Sequence, residues 1–255
     1  MSRIAVAATA PFGADVLERL AAKHEIVQLL TRPDAPRGRG QKLAPSPAKE
    51  TAERLGIPVV HERDALAADT VVVCAYGLLI PESLLSRALW LNVHPSLLPR
   101  WRGAAPVERA IMAGDAQTGV TIHRTTRELD AGPIAAQEAF DIAPEDDAGV
   151  VYAHAAEVAA RLLDGVLEHP AFTPQPDQGV TYAEKITAAD RELDPSRPAP
   201  ELVNRVHALS PHIGARMGDL VVWKARVDGG AFVPVEVQPA GGRRMDYEAY
   251  LRGRR

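Results

Sequence analysis

The run TVVVCAYGLLI, residues 70–80, is apolar almost throughout. A strand without a polar face belongs in a sheet covered on both sides, the setting of parallel α/β architectures. The segments around it fit that demand. RIAVAA, EIVQLLT and IPVV are short apolar strands, while ADVLERLAAKH and PAKETAERLG carry apolar residues at helical spacing, the latter stopping at Gly56. PESLLSRALW starts a helix with Pro81 in its first turn, LNVH is the next strand and VERAIMAGD the next helix. TGVTIHRTT and GPIAAQEAFDI are two more strands around the turn ELDAG, and an Ala-rich helix over 148–168 closes the unit. This β-α-β order predicts an α/β fold over 1–169: an open, mostly parallel Rossmann-like sheet with helices on both faces.

Beyond His169 the pattern changes. AFTPQPDQGVTYAEKITAADRELDPSRPAP is polar and proline-rich with little periodicity, and predicts an ordered linker over 170–200. A helix, PELVNRVHALS, and two strand-like runs, GDLVVWKARV and GAFVPVEVQPA, follow in 201–255. Asp228-Gly229-Gly230 between the runs is a hairpin signal. A two-stranded ribbon is marginal in water, so this β-rich piece needs support from the rest of the chain.

No apolar run approaches the roughly 20 residues that cross a bilayer, and the first residues do not form a secretory signal, so no membrane partner is expected. Cys74 is the single cysteine, which excludes an intrachain disulfide and fits a reducing, cytoplasmic setting. It reads as a core residue. The formal net charge of −4 argues against a general nucleic-acid coat, but the charge is uneven. RPDAPRGRGQK (32–42) carries four basic residues against one acid, and RRMDYEAYLRGRR (243–255) five against two. Two basic patches on an acidic chain suit a protein that meets a polyanion at particular places, although solvated loop and tail explain either patch alone.

The strand LNVH ends in Pro95-Ser96-Leu97-Leu98-Pro99. Asn92 and His94, two apart, share one strand face at the end of a parallel strand, where α/β folds open their ligand crevices. Pro95 stops the pairing and Pro99 stiffens the far side, leaving a short rigid loop. Asp130, in RELDAGPI, is either a turn former or a carboxylate able to reach the imidazole. Other chemistries fit less well. The eight histidines show no helical metal-ligand spacing, Ser96 lacks the Gly-x-Ser-x-Gly setting of a hydrolase, and Gly38-Arg39-Gly40 lacks the third glycine and preceding strand of a dinucleotide site.

Asn92-x-His94, Ser96-Leu97-Leu98-Pro99 and Asp130 in a Leu-Asp-x-Gly setting resemble the signature of the folate-dependent formyltransferases. RPDAPRGRGQKLAPSPAK, VVVCAYGLLIP, SLLPRWRGAAPVERAIMAGDAQTGVTI, TYAEKI, WKA and QPAGGRRM resemble the branch of that family acting on methionyl-tRNA. The resemblance runs from about residue 4 to 250. It implies transfer of a formyl group from 10-formyltetrahydrofolate, as donor substrate, to the α-amino group of methionyl initiator tRNA, through a tetrahedral intermediate and without a metal. Asn92, His94 and Asp130 are then the catalytic residues. The resemblance also places Ser96, Leu97, Leu98, Pro99, Leu78, Leu79, Ile80, Glu128 and Leu129 around the folate. It places Arg37, Arg39 and Lys42 near the tRNA acceptor end. Arg243 and Arg244 are expected to add electrostatic grip on the tRNA where the C-terminal domain is short, and a monomer is expected.

The chain departs from the family pattern at Ala8-Thr9-Ala10, where Gly-Thr-Pro is usual, and is shortened between Val60 and Thr70. Its C-terminal domain is also shorter than the family's five-stranded oligonucleotide-binding barrel, and predicts a reduced version of it. Transfer to an amino-sugar nucleotide or other small amine, and hydrolysis of 10-formyltetrahydrofolate, are the alternative activities.

Overall fold

The computed structural model describes residues 2–37 and 41–253, the Arg37 side chain excepted. In chain order the elements are β1 (Arg3–Ala8), α1 (Pro11–Ala21), β2 (Glu25–Leu30), β3 (Ala35–Arg37), β4 (Lys42–Ala44), α2 (Pro47–Arg54), β5 (Val59–Val60), β6 (Thr70–Cys74), α3 (Glu82–Leu85), β7 (Leu89–His94), β8 (Arg102–Gly103), α4 (Pro106–Ala113), β9 (Gln117–Arg124), β10 (Ile134–Asp141) and α5 (Ala148–Glu168). They are followed by β11 (Tyr182–Ala183), α6 (Ala199–Leu209), β12 (Ala215–Met217), β13 (Leu220–Asp228), β14 (Ala231–Pro239), β15 (Met245–Asp246) and α7 (Tyr247–Arg252).

Seven strands form the main sheet in the order β10-β9-β7-β6-β1-β2-β5. From β5 to β7 every neighbour pair is parallel, as the apolar runs predict, and β9 then joins β7 antiparallel. Ile4 to Ala8 of β1 and Val71 to Cys74 of β6 are buried on both faces. Gly13 lets α1 lie against the strand ends, because a Cβ there would run into the Cys74 carbonyl. Ser46 caps α2 by accepting from the Lys49 N–H at 3.1 Å, and Pro47 supplies the first turn.

Two elements differ from their sequence expectation. The helix expected over PESLLSRALW is one turn, α3, because Leu89 and Trp90 pair with Thr70 and Val71 in the sheet, and the Trp90 indole donates to the Leu84 carbonyl at 2.9 Å. The strand expected over 70–80 stops at Cys74, where Ala75 and then Gly77 turn left-handed.

By its contacts the chain divides into two compact units, neither continuous in sequence. The first comprises Met1–Arg102, Gly119–Ala139 and Ala153–Val180, and the second Gly103–Thr118, Phe140–Tyr152 and Thr181–Arg255. In the second unit β12-β13-β14-β15 form an antiparallel sheet, and Val206 and Leu209 of α6 pack with Val222 and Val237. Gly229 and Gly230 make the expected hairpin turn with positive φ. Two nine-residue strands, β13 and β14, are flanked by edge strands of three and two residues. The tail forms α7, capped by Asp246, which accepts from the Ala249 N–H at 2.9 Å. Arg109 reaches Asp190 at 2.7 and 3.1 Å and the carbonyls of Glu184 and Lys185, which orders this part of the linker. Among the described residues no helix is long and apolar enough to cross a membrane.

Candidate active site

In the first unit, β7 and β9 set Asn92 directly opposite His123, and His94 opposite Thr121. Directly opposed antiparallel residues share a face, so four polar side chains gather at the end of β7. Asp130 completes the group from the loop after β9. The Asn92 amide donates to His123 Nε2 at 2.9 Å and to Asp130 Oδ1 at 3.3 Å. His94 Nδ1 lies 3.6 Å from Asp130 Oδ2, and His123 Nε2 lies 3.5 Å from Oδ1.

The partners settle the tautomers. His94 Nε2 is 2.8 Å from the Trp101 carbonyl, which only accepts, so Nε2 carries the proton and Nδ1 is bare in the neutral ring. His123 Nδ1 likewise donates to the Arg124 carbonyl at 3.1 Å, leaving Nε2 to accept from Asn92. His94 is 4% exposed, and burial pulls its pKa below the usual imidazole value. The Asp130 charge and the Trp101 carbonyl oppose that pull, while His123 adds slightly to it. In the neutral ring Nδ1 is an acceptor, 3.6 Å from Asp130 Oδ2.

Both partners of His94 sit on strained backbone. Trp101 and Asp130 are left-handed, with φ of 64° and 48°, a conformation that costs a non-glycine residue about 1–2 kcal/mol. Gly132 turns the Asp130 loop where any Cβ would strike the Arg124 carbonyl. Gln175 donates to the carbonyls of Asp130 and Gly132, both at 2.8 Å.

The loop after His94 is pinned to β9. Thr121 donates to the Ser96 carbonyl at 2.7 Å and accepts from the Leu98 N–H at 3.1 Å, and Gln137 donates to Thr121 and to the Leu98 carbonyl. Ser96 is fully buried and spends its hydroxyl on the Arg100 carbonyl at 2.7 Å, so it shapes the loop. Leu98 is buried, while Leu97 and Pro99 are half-buried. The loop leaving β6, beside β7 in the sheet, presents Leu78 and Leu79 to solvent, with Ile80 packed on the core. Leu129 is exposed beside Asp130, and Glu128 stands 3.8 Å from Arg102.

Of the basic residues singled out in the sequence, Lys42 is exposed on β4, and Arg37 contributes backbone to β3. Arg39 lies outside the described residues. Arg243 is exposed, whereas Arg244 stacks 3.6 Å over the Trp223 ring and donates to the Pro211 carbonyl at 3.0 Å, within the second unit. The Cys74 thiol is buried and pushed up by desolvation. Among the described residues no group of three or more His, Cys, Asp or Glu is arranged to hold a metal ion.

Sequence reasoning missed His123 and Gln175. His123 was available from alternation in TGVTIHRTT, which puts it on the face of Thr121. Gln175 sits in an aperiodic stretch and carried no signal.

The sequence pattern of the formyl transferase family matches residues 2–167. The chain is 38% identical to the methionyl-tRNA formyltransferase of Thiobacillus denitrificans over 99% of this chain and 96% of that one. Among solved structures, the methionyl-tRNA formyltransferase of Clostridium thermocellum superposes with a TM-score of 0.66 at 12% identity, covering 96% of this chain and 99% of that one. An N-formyltransferase of Helicobacter canadensis, crystallised with folinic acid and dTDP-3-aminofucose, gives 0.69 at 17% identity, over 89% and 87%. The solved structures share the fold, and the sequence relation, which spans nearly the whole of both chains, is the closer tie: this chain belongs to the formyl transferase family, among its methionyl-tRNA formyltransferases.

Proposed function

We propose that Asn92, His94 and Asp130 carry the formylation of methionyl-tRNA by this chain, with 10-formyltetrahydrofolate as donor and the α-amino group of the initiator as acceptor. The observation that carries the proposal is the meeting of the three side chains on one strand end, with the bare His94 Nδ1 facing Asp130 Oδ2. Attack of the amine on the formyl carbon forms a C–N bond and a tetrahedral centre with a negative oxygen. Asn92 donates to that oxygen, giving up its longer contact to Asp130 while His123 keeps the other amide hydrogen. The ammonium formed by attack passes its proton to His94 Nδ1, where Asp130 and the Trp101 carbonyl stabilise the imidazolium. His94 then returns the proton to N10 as the bond from the formyl carbon to N10 breaks. The steps close without a metal or a covalent enzyme intermediate.

The exposed Leu78, Leu79 and Leu129 and the pinned Ser96–Pro99 loop give the folate an apolar border, with Ile80 and Leu98 packed beneath. Arg37, Arg39 and Lys42 meet the acceptor end, where guanidinium and ammonium groups pair with phosphates. Arg243, exposed on the second unit, adds a further phosphate contact. The chain acts as a cytoplasmic monomer.

The test is acceptor choice. With 10-formyltetrahydrofolate, the purified chain is expected to formylate charged initiator tRNA, leave amino-sugar nucleotides unmodified, and release little formate without acceptor. Transfer confined to the sugar nucleotide, or formate release independent of acceptor, would contradict the proposal.

A further inference from the structure

The pair at the centre of the site is held from outside by one carboxamide. Gln175 Oε1 accepts from Arg102 Nε at 3.2 Å and from a terminal Arg102 nitrogen at 2.7 Å, and Gln175 Nε2 donates to the Asp130 and Gly132 carbonyls at 2.8 Å each. The Arg102 side chain is 9% exposed, so its charge has little water to turn to. Four contacts fix the orientation of this amide: turned over, it would set its NH₂ against a guanidinium and its oxygen against two carbonyls. Arg102 also follows Trp101, whose carbonyl holds His94 Nε2. One short segment thus holds His94 from behind and, through Gln175, holds the backbone of Asp130.

We propose that Gln175 is a positioning residue, whose carboxamide locks the left-handed Asp130 turn and so sets the Asp130 carboxylate against His94. The proposal rests on the part in formyl transfer assigned to Asp130 above. The side-chain chemistry required is narrow. The position needs an acceptor towards Arg102 and two donors towards the carbonyls, at the reach of three side-chain carbons. Glutamate keeps the acceptor and loses both donors, methionine keeps the shape and loses both functions, and asparagine is one methylene short. Displacements of about 1 Å at a reacting pair cost one to two orders of magnitude in rate.

The experiment compares wild type, Gln175→Glu, Gln175→Met and Asp130→Asn in formylation kinetics, thermal melting and NMR titration of His94. Gln175→Glu gains a charge pair with Arg102 but strips the Asp130 and Gly132 carbonyls of their donor, so kinetics are compared at a temperature where melting shows every variant folded, which separates positioning from folding. Gln175→Glu and Gln175→Met are each expected to lower kcat about tenfold or more, with KM for both substrates within about twofold. The His94 midpoint should move further down as the Asp130 charge withdraws. A Gln175→Glu enzyme with wild-type kcat, or with lowered kcat and an unmoved His94 midpoint, would overturn the positioning role. An active Asp130→Asn would remove the reading on which it rests, and the proposal with it. An inactive Asp130→Asn beside a wild-type Gln175→Glu would sink the proposal alone.

Discussion

Asn92 gives one amide hydrogen to His123 Nε2 at 2.9 Å and the other to Asp130 Oδ1 at 3.3 Å, so the group proposed to meet the oxyanion is fully engaged at rest. In the proposed mechanism His123 keeps its hydrogen and orients the amide, while the looser contact to Asp130 is released. His123→Ala is therefore expected to lower kcat about 10–100-fold, within the range seen when an oxyanion donor loses its geometry. KM for methionyl-tRNA should change little. Steady-state formylation checks this, and an unchanged kcat would mean that Asn92 needs no such anchor.

His94 supplies a pH signature. Its pKa in the folded protein is lowered, so below about 6.5, the unfolded value, the unfolded chain binds more protons than the folded one. Burial of neutral His94 therefore contributes stability that is present above that pH and lost as pH falls below it. Denaturant melts at several pH values should show the loss, and His94→Gln should make the decline shallower. A slope unaffected by His94→Gln would contradict the assignment.

Gly132 is a structural test of the Asp130 turn. An added Cβ collides with the Arg124 carbonyl, so Gly132→Ala must displace the turn that carries Asp130. Activity is expected to fall at least tenfold, and because Gly132 is buried and the clash is with backbone, the melting temperature should drop as well.

In the second unit, Asp190 accepts from Arg109 and from the Thr187 N–H and hydroxyl, with Arg109 the largest cause of its strongly lowered pKa. Asp190→Ala should cost about 1–3 kcal/mol in denaturant melts, since it strips a charged hydrogen-bonded group from a largely covered arginine. The stability contributed by Asp190 is present above about pH 4, the unfolded value, and is lost as pH falls below it.

The parallel sheet was legible because its strands are apolar on both faces, as in Val71 to Cys74, and Asn92 and His94 followed from alternation at a strand end. Two features were not. Trp90 looked helical because local spacing says nothing about Val71, its partner 19 residues earlier in the chain, and pairing with that partner won. Gln175 was invisible because its four contacts all lie at least 40 residues away. The C-terminal piece shows a third limit. Its two long strands and hairpin turn were legible, but the edge strands β12 and β15, only three and two residues long, are too short to show a period.

The central claim is that the proton released by the attacking amine passes to the His94–Asp130 pair. Single-turnover transfer from 10-formyltetrahydrofolate to charged initiator tRNA, with wild type and Asp130→Asn at saturating substrates, tests it most directly. Asparagine keeps the volume and removes the charge that stabilises the imidazolium. The account predicts a chemical step at least 100-fold slower with substrate binding retained, within the range of a lost general acid–base. A single-turnover rate within about twofold of wild type would contradict it.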